Sequence, residues 1–166
     1  MTRLVASLGW SGNWTVRSDA FGSLKSRRDD RGDLDFRSGD GDIAFRVVRR
    51  GRSWFVEGSD DRAEFHSELH ADGVRRVWSI KSASFTGTAM ERGTKRSFAR
   101  VLAQASTIGP LHLIVPVSLR ITDDAGTAGV VTSRRTLPIG YTAEADERLH
   151  PSHLAALTVL IGSAGY

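Results

Sequence analysis

At 166 residues the chain has the length of one domain and enough material to bury a real core. It contains no cysteine, which excludes disulfides and thiolate metal sites. The formal charge is +4, and only Lys25, Lys81 and Lys95 share the basic load with arginine; such a balance suits anionic partners, although GC-rich coding also favours arginine over lysine.

In chain order, "MTRLVASLGWSGNW" holds an apolar core of only Leu4 to Leu8. That is shorter than a secretory h-region, so a cytoplasmic protein is expected, with Met1 to Leu8 dispensable for folding. Trp14 to Arg17 alternates and predicts the first strand. The charged stretch "SLKSRRDDRGD" from Ser23 to Asp33 predicts a mobile surface loop, and its Arg-Gly-Asp tripeptide reads as coincidence.

A plan then recurs in "LDFRSGDGDIAFRVV", "EFHSELHADGVRRVWSI" and "VSLRITDDAGTAGVVTS". Each is an alternating run, a turn with Asp before Gly, and a second alternating run. Gly41, Gly73 and Gly126 supply the positive φ of tight hairpins. A further turn at "RRGR", Arg49 to Arg52, joins Ile43–Val48 to Trp54–Val56. With "SASFTGTAM" and "TLPIGYTAEA" the tally reaches about ten strands in an antiparallel meander. One segment departs: "RSFARVLAQAS" places Phe98, Val101, Leu102 and Ala105 on a helical stripe, ended by Gly109-Pro110. Pro116 inside "LHLIVPVSL" predicts an edge strand or a bulge, because proline cannot donate to a ladder.

The tail "HPSHLAALTVLIGSAGY" predicts a helix over 151–164, with Pro151 in the first turn. At about 1.5 Å per residue it rises only ~21 Å, too short to cross a bilayer. Its apolar residues face every direction, so it must be enclosed on every side. Burying Leu154, Leu157, Val159, Leu160 and Ile161 contributes about 10 kcal/mol as an upper bound. A closed antiparallel barrel with the helix down its middle satisfies that demand. A helix docked across an open sheet, or against a partner's helix in a dimer, satisfies it too.

The final hairpin "SLRITDDAGTAGVV", the strand "YTAEAD" and "ERLHPSHLAALTVLIGSA" together resemble the tubby C-terminal-like superfamily, which includes LURP-one-related proteins and phospholipid scramblases. The strand–Asp–Gly–strand units from Leu34 onward look similar to that family's repeats. The resemblance implies a mainly β fold over residues 1–166: a closed antiparallel β-barrel around a buried hydrophobic C-terminal helix, with one additional short helix. This chain departs from the family in being short, in its lower strand count, and in ending "GSAGY" without an acidic residue.

The resemblance further implies a non-enzymatic binding or scaffold domain contacting anionic phospholipid or membrane surfaces, cytoplasmic and peripheral to the membrane. No local motif aligns with the family's lipid-binding residues. The candidates from this sequence are Arg49, Arg50, Arg52, Arg134 and Arg135, since guanidinium forks on turns match phosphate oxygens. The same arginines also suit plain solvated turns.

Other chemistry finds little support. His66 and His70 lie on one strand face about 13 Å apart, too far to share a metal ion. His150 and His153 flank Pro151, which suggests capping or solvent exposure, and Asp40 and Asp42 belong to a turn. Trp54 and Trp78 stand beside arginines as in nucleic-acid binders, yet alternation assigns both to a core. No catalytic motif, cofactor fingerprint or metal-ligand set appears. The alternative function is a small β-barrel hydrolase or isomerase with its site at the barrel mouth, which requires an unfilled barrel.

Overall fold

A computed structural model describes residues 1–9, 11–71, 73, 75–92, 117–134 and 140–163. The strands are β1 (Thr2–Leu8), β2 (Trp14–Ser18), β3 (Gly22–Arg28), β4 (Leu34–Arg37), β5 (Ile43–Arg50) and β6 (Ser53–Glu57). They continue with β7 (Ala63–Leu69), β8 (Arg76–Ser82), β9 (Thr86–Glu91), β10 (Ser118–Asp123), β11 (Gly126–Ser133) and β12 (Gly140–Ala145). One helix, α1 (Pro151–Ser163), follows. The strands form a closed ring in sequence order, with β1 hydrogen-bonded between β2 and β12, and every neighbouring pair is antiparallel. Closure leaves no sheet edge.

The repeated hairpins are present. Gly41 (φ 90°), Gly73 (φ 67°) and Gly126 (φ 116°) sit at the β4–β5, β7–β8 and β10–β11 connections, where an L side chain would be strained. Twelve strands stand where the sequence predicts about ten, because Thr2–Leu8 and Gly22–Arg28 are also strands. Met1 to Leu8, expected to be dispensable, contains a strand of the ring: Thr2–Leu8 closes it, and Leu4 and Ala6 are buried. The charged stretch from Ser23 is a loop only over Asp29 to Asp33. Gly22–Arg28 is a strand in which Leu24 and Ser26 point inward while the charges point out. Ser26 earns its place inside by accepting the Trp14 amide through Oγ at 3.1 Å.

The helix expected over "RSFARVLAQAS", and Pro116, lie outside the described residues. The described strand after Pro116, β10, is paired on both sides and carries a register shift between Ile121 and Thr122. Inward positions hold the large apolar side chains, among them Phe36 stacked on Phe45 (ring centroids 4.3 Å apart) and fully buried Phe65, Trp78 and Ile121.

His150 caps α1. Its carbonyl accepts the amides of His153 and Leu154 (3.0 and 3.1 Å), and its Nδ1 accepts the Ser152 amide at 3.4 Å, relieving helix N–H groups that have no partner within the helix. All residues from Ser152 to Ile161 are buried. Thr158, the polar interruption, bonds its Oγ1 back to the Leu154 carbonyl at 2.7 Å. At the C-terminal end, the Trp14 indole donates to Ser163 Oγ at 3.1 Å. A Cβ at Gly162 would stand 2.4 Å from that indole, so the last turn packs where only glycine fits.

Candidate functional site

In a ring of sequence-adjacent antiparallel strands, connections alternate between the two ends. The β1–β2, β3–β4, β5–β6, β7–β8, β9–β10 and β11–β12 connections share what we call the upper rim. The remaining connections, with the lead into α1, form the lower rim. The Asp33 carboxylate accepts the Arg49 amide at 2.8 Å, tying two upper-rim connections together. α1 begins at the lower rim, where His153 meets Asp61, and its end meets Trp14 at the upper rim.

Charge divides between these ends. At the lower rim Asp19, Asp40, Asp42, Asp60, Asp124 and Glu147 are exposed, with no ion-pair partner among the described residues. Asp123 and Asp146 are both held there by Arg148. The Arg148 hydrogen bond keeps the Asp146 carboxyl below its ordinary value. The upper rim carries the sequence-predicted arginines. Its carboxylates are partly committed to backbone: Asp29 Oδ1 accepts the amides of Arg31 and Asp33, each at 2.9 Å. Asp29, Asp30 and, next to Leu69, Glu68 are exposed there.

The candidate arginines share the rim but differ in role. Arg49 and Arg50 are the last residues of β5 and not part of a turn; Arg52 is in the turn. Successive strand residues face opposite ways, so Arg49 shares the side of inward Phe45 and Val47, at the barrel mouth. Its guanidinium lies 5.7 Å from the Trp54 ring centroid, within cation–π range. Trp54 in turn packs on buried Trp78 at 5.3 Å. The core reading therefore holds fully for Trp78 and partly for half-buried Trp54. Arg50 faces outward, pairs with Glu57 and covers Phe55. Arg52 is exposed with no partner among the described residues. Arg134 is exposed on the same rim but across the ring, since β11 and β5 stand on opposite arcs. Arg135 lies outside the described residues.

Sequence reasoning missed the neighbouring β7–β8 hairpin as part of this rim. It brings Arg75, Arg76 and exposed Leu69 beside the β5–β6 hairpin. Counting connections by parity would have revealed the grouping, because the two strands absent from the sequence reading both precede β5.

The lower rim holds the histidine pair. His153 is fully buried, not exposed, while the expected capping role falls to His150. The two rings lie 5.2 Å apart. His153 Nε2 is 2.9 Å from the Asp61 carbonyl. A carbonyl can only accept, so Nε2 carries the proton, and neutral His153 leaves Nδ1 bare; that atom has no hydrogen-bond partner. Asp61 also accepts from Ser84 Oγ (2.6 Å) and the Ala83 amide (3.2 Å), and those bonds hold its carboxyl below the ordinary range. Burial pushes the His153 pKa down, opposed by Asp61 and assisted by the charge of His150. Among the described residues, no group of three His, Asp or Glu side chains could hold a metal ion.

A pH dependence follows. The unfolded chain gains a proton at a histidine pKa near 6.5, whereas folded His153 resists until lower pH. This contribution to stability is complete above about pH 6.5 and is lost as pH falls from there through the lowered folded value. Urea midpoints should therefore decline as pH falls below about 6.5. A His153→Gln variant, whose amide can still donate to Asp61, should show a flatter profile. An unchanged slope in the variant would assign the effect elsewhere.

Compared with protein-family models, curated proteins and solved structures, the chain matches none. Among the described residues no helix is long and apolar enough to cross a membrane.

Proposed function

We propose that α1 is the axial core of the barrel and that this protein is a non-enzymatic binding or scaffold domain of the tubby-like kind. Its upper rim faces anionic phospholipid at a cytoplasmic membrane surface. The observation that carries this reading is an imbalance of charge: Asp19, Asp40, Asp42, Asp60, Asp124 and Glu147 outnumber exposed Arg62 on the lower rim, whereas exposed Arg31, Arg49, Arg50, Arg52, Arg92 and Arg134 outnumber Asp29, Asp30 and Glu68 on the upper. Such a barrel orients itself, basic end toward an anionic surface and acidic end away. Burial of α1 from Ser152 to Ile161 favours a surface site over the interior pocket an enzyme of this shape would use.

Each guanidinium near an anionic leaflet contributes about 1 kcal/mol. A few of them give weak association, screened over about 8 Å at physiological ionic strength. The test is co-sedimentation with phosphatidylcholine vesicles, with and without phosphatidylserine, at low and high salt. Binding should require the anionic lipid, fall with salt, and weaken when Arg49, Arg50 and Arg52 become Ser. Changing lower-rim Arg62 to Ser should leave it intact. Equal binding to neutral vesicles, or none at low salt, would remove the reading.

A further inference from the structure

Resting on that reading, we infer that the β7–β8 hairpin is the element that enters the headgroup layer, with Leu69 as its apolar contact. The strand register sets this hairpin apart. β6 ends its pairing with β7 at Ser53↔His66, but β7 continues with β8 to Leu69↔Arg76. Three further residues at about 3.3 Å each carry the hairpin roughly 10 Å past the last β6 pair. On the other side, pairing of β8 with β9 begins at Val77↔Met90, so Leu69 and Arg76 stand beyond both neighbouring ladders.

Its described residues are tied together. The His70 amide donates to the Arg75 carbonyl at 2.7 Å and the Gly73 amide to the His70 carbonyl at 2.8 Å. Arg76 Nη1 reaches Ser67 Oγ at 3.4 Å, and Arg75 Nη2 lies 3.4 Å from His70 Nδ1. Such ties lower the entropy cost of ordering these residues on contact.

Location singles out Leu69. The exposed large hydrophobic residues among those described are Met1, Ile43 and Leu69. Met1 precedes β1 and Ile43 opens β5, which puts both at the acidic lower rim. Leu69, 61% exposed, is the one at the basic rim, directly across from Arg76 on the same face. An apolar side chain beside a guanidinium that can lie along it suits the boundary between headgroups and acyl chains.

The absence of cysteine allows a site-specific test on the full chain. Leu69→Cys and Ile43→Cys each carry an environment-sensitive fluorophore and are mixed with phosphatidylcholine–phosphatidylserine vesicles containing nitroxide-labelled lipid. The Leu69→Cys probe should shift to the blue and be quenched; the Ile43→Cys probe should do neither. Separately, Leu69→Ser should weaken vesicle binding about tenfold at low and high salt alike, with an unchanged urea midpoint. Vesicle binding with no quenching at position 69, or with full affinity in Leu69→Ser, overturns this inference and leaves the basic-rim reading standing. No vesicle binding at low salt overturns both.

Discussion

Replacing Leu157 with aspartate should abolish soluble folding. Leu157 has no exposed surface and sits in the middle of the buried run from Ser152 to Ile161. Truncating a buried leucine to alanine alone costs about 2–5 kcal/mol. A carboxylate there adds the cost of burying an unpaired charge, several kcal/mol more. The titratable side chain one helical turn earlier, His153, is held neutral by burial and already donates to the Asp61 carbonyl. The combined loss rivals the whole stability of a domain, about 5–15 kcal/mol. Soluble yield and cooperative urea unfolding are the measurements, with Leu157→Met as the volume-conserving control, expected to lose less than about 1.5 kcal/mol. A soluble, cooperatively folding Leu157→Asp protein would show that this helix is not enclosed.

Removing residues 2–8 should be nearly as damaging, contrary to what the sequence suggests. β1 is hydrogen-bonded on both sides, from Thr2↔Ala145 to Ser7↔Gly140 along β12 and from Leu4↔Ser18 to Leu8↔Trp14 along β2. Without it, β12 and β2 become open edges, and exposed edges template aggregation. The inward side chains Leu4 and Ala6 go as well. Size-exclusion chromatography should find aggregate in place of monomer, and thermal unfolding should lose cooperativity. Arg3→Ser provides the contrast. Its bond to Glu144 is 2.7 Å long, but the side chains are 67% and 41% exposed, and such pairs contribute at most about 1 kcal/mol. A monomeric, cooperatively melting deletion variant would mean that the barrel tolerates an open seam.

What could be read from the residues alone was whatever local backbone chemistry decides. Turns with Asp ahead of Gly, at Gly41, Gly73 and Gly126, announce hairpins because tolerance of positive φ is a property of glycine itself. Pro151 marks the start of α1 for an equally local reason, and the all-round apolar tail demanded enclosure. β3 escaped notice because Leu24 is its single buried apolar residue, opposite outward lysine and arginine, so its alternation resembles a charged loop. β1 escaped because Leu4 to Leu8 is apolar on both faces and shows no period.

The candidate site lay further from view. That Arg134 stands across the ring from Arg49 and Arg52 depends on the full strand count, and the ring is closed by β1 on β12. Arg3 and Glu144, paired across that seam, are 141 positions apart in the chain. The burial of His153 depends likewise on Asp61 arriving from 92 positions away. The sequence determined turns, helix start and the need to bury the tail, because these rest on torsional preference and on apolar surface carried within a few residues. Tertiary structure alone decided where around the ring those charges stand and which histidine is buried, because ring closure brings together residues whose sequence neighbours carry no trace of the meeting.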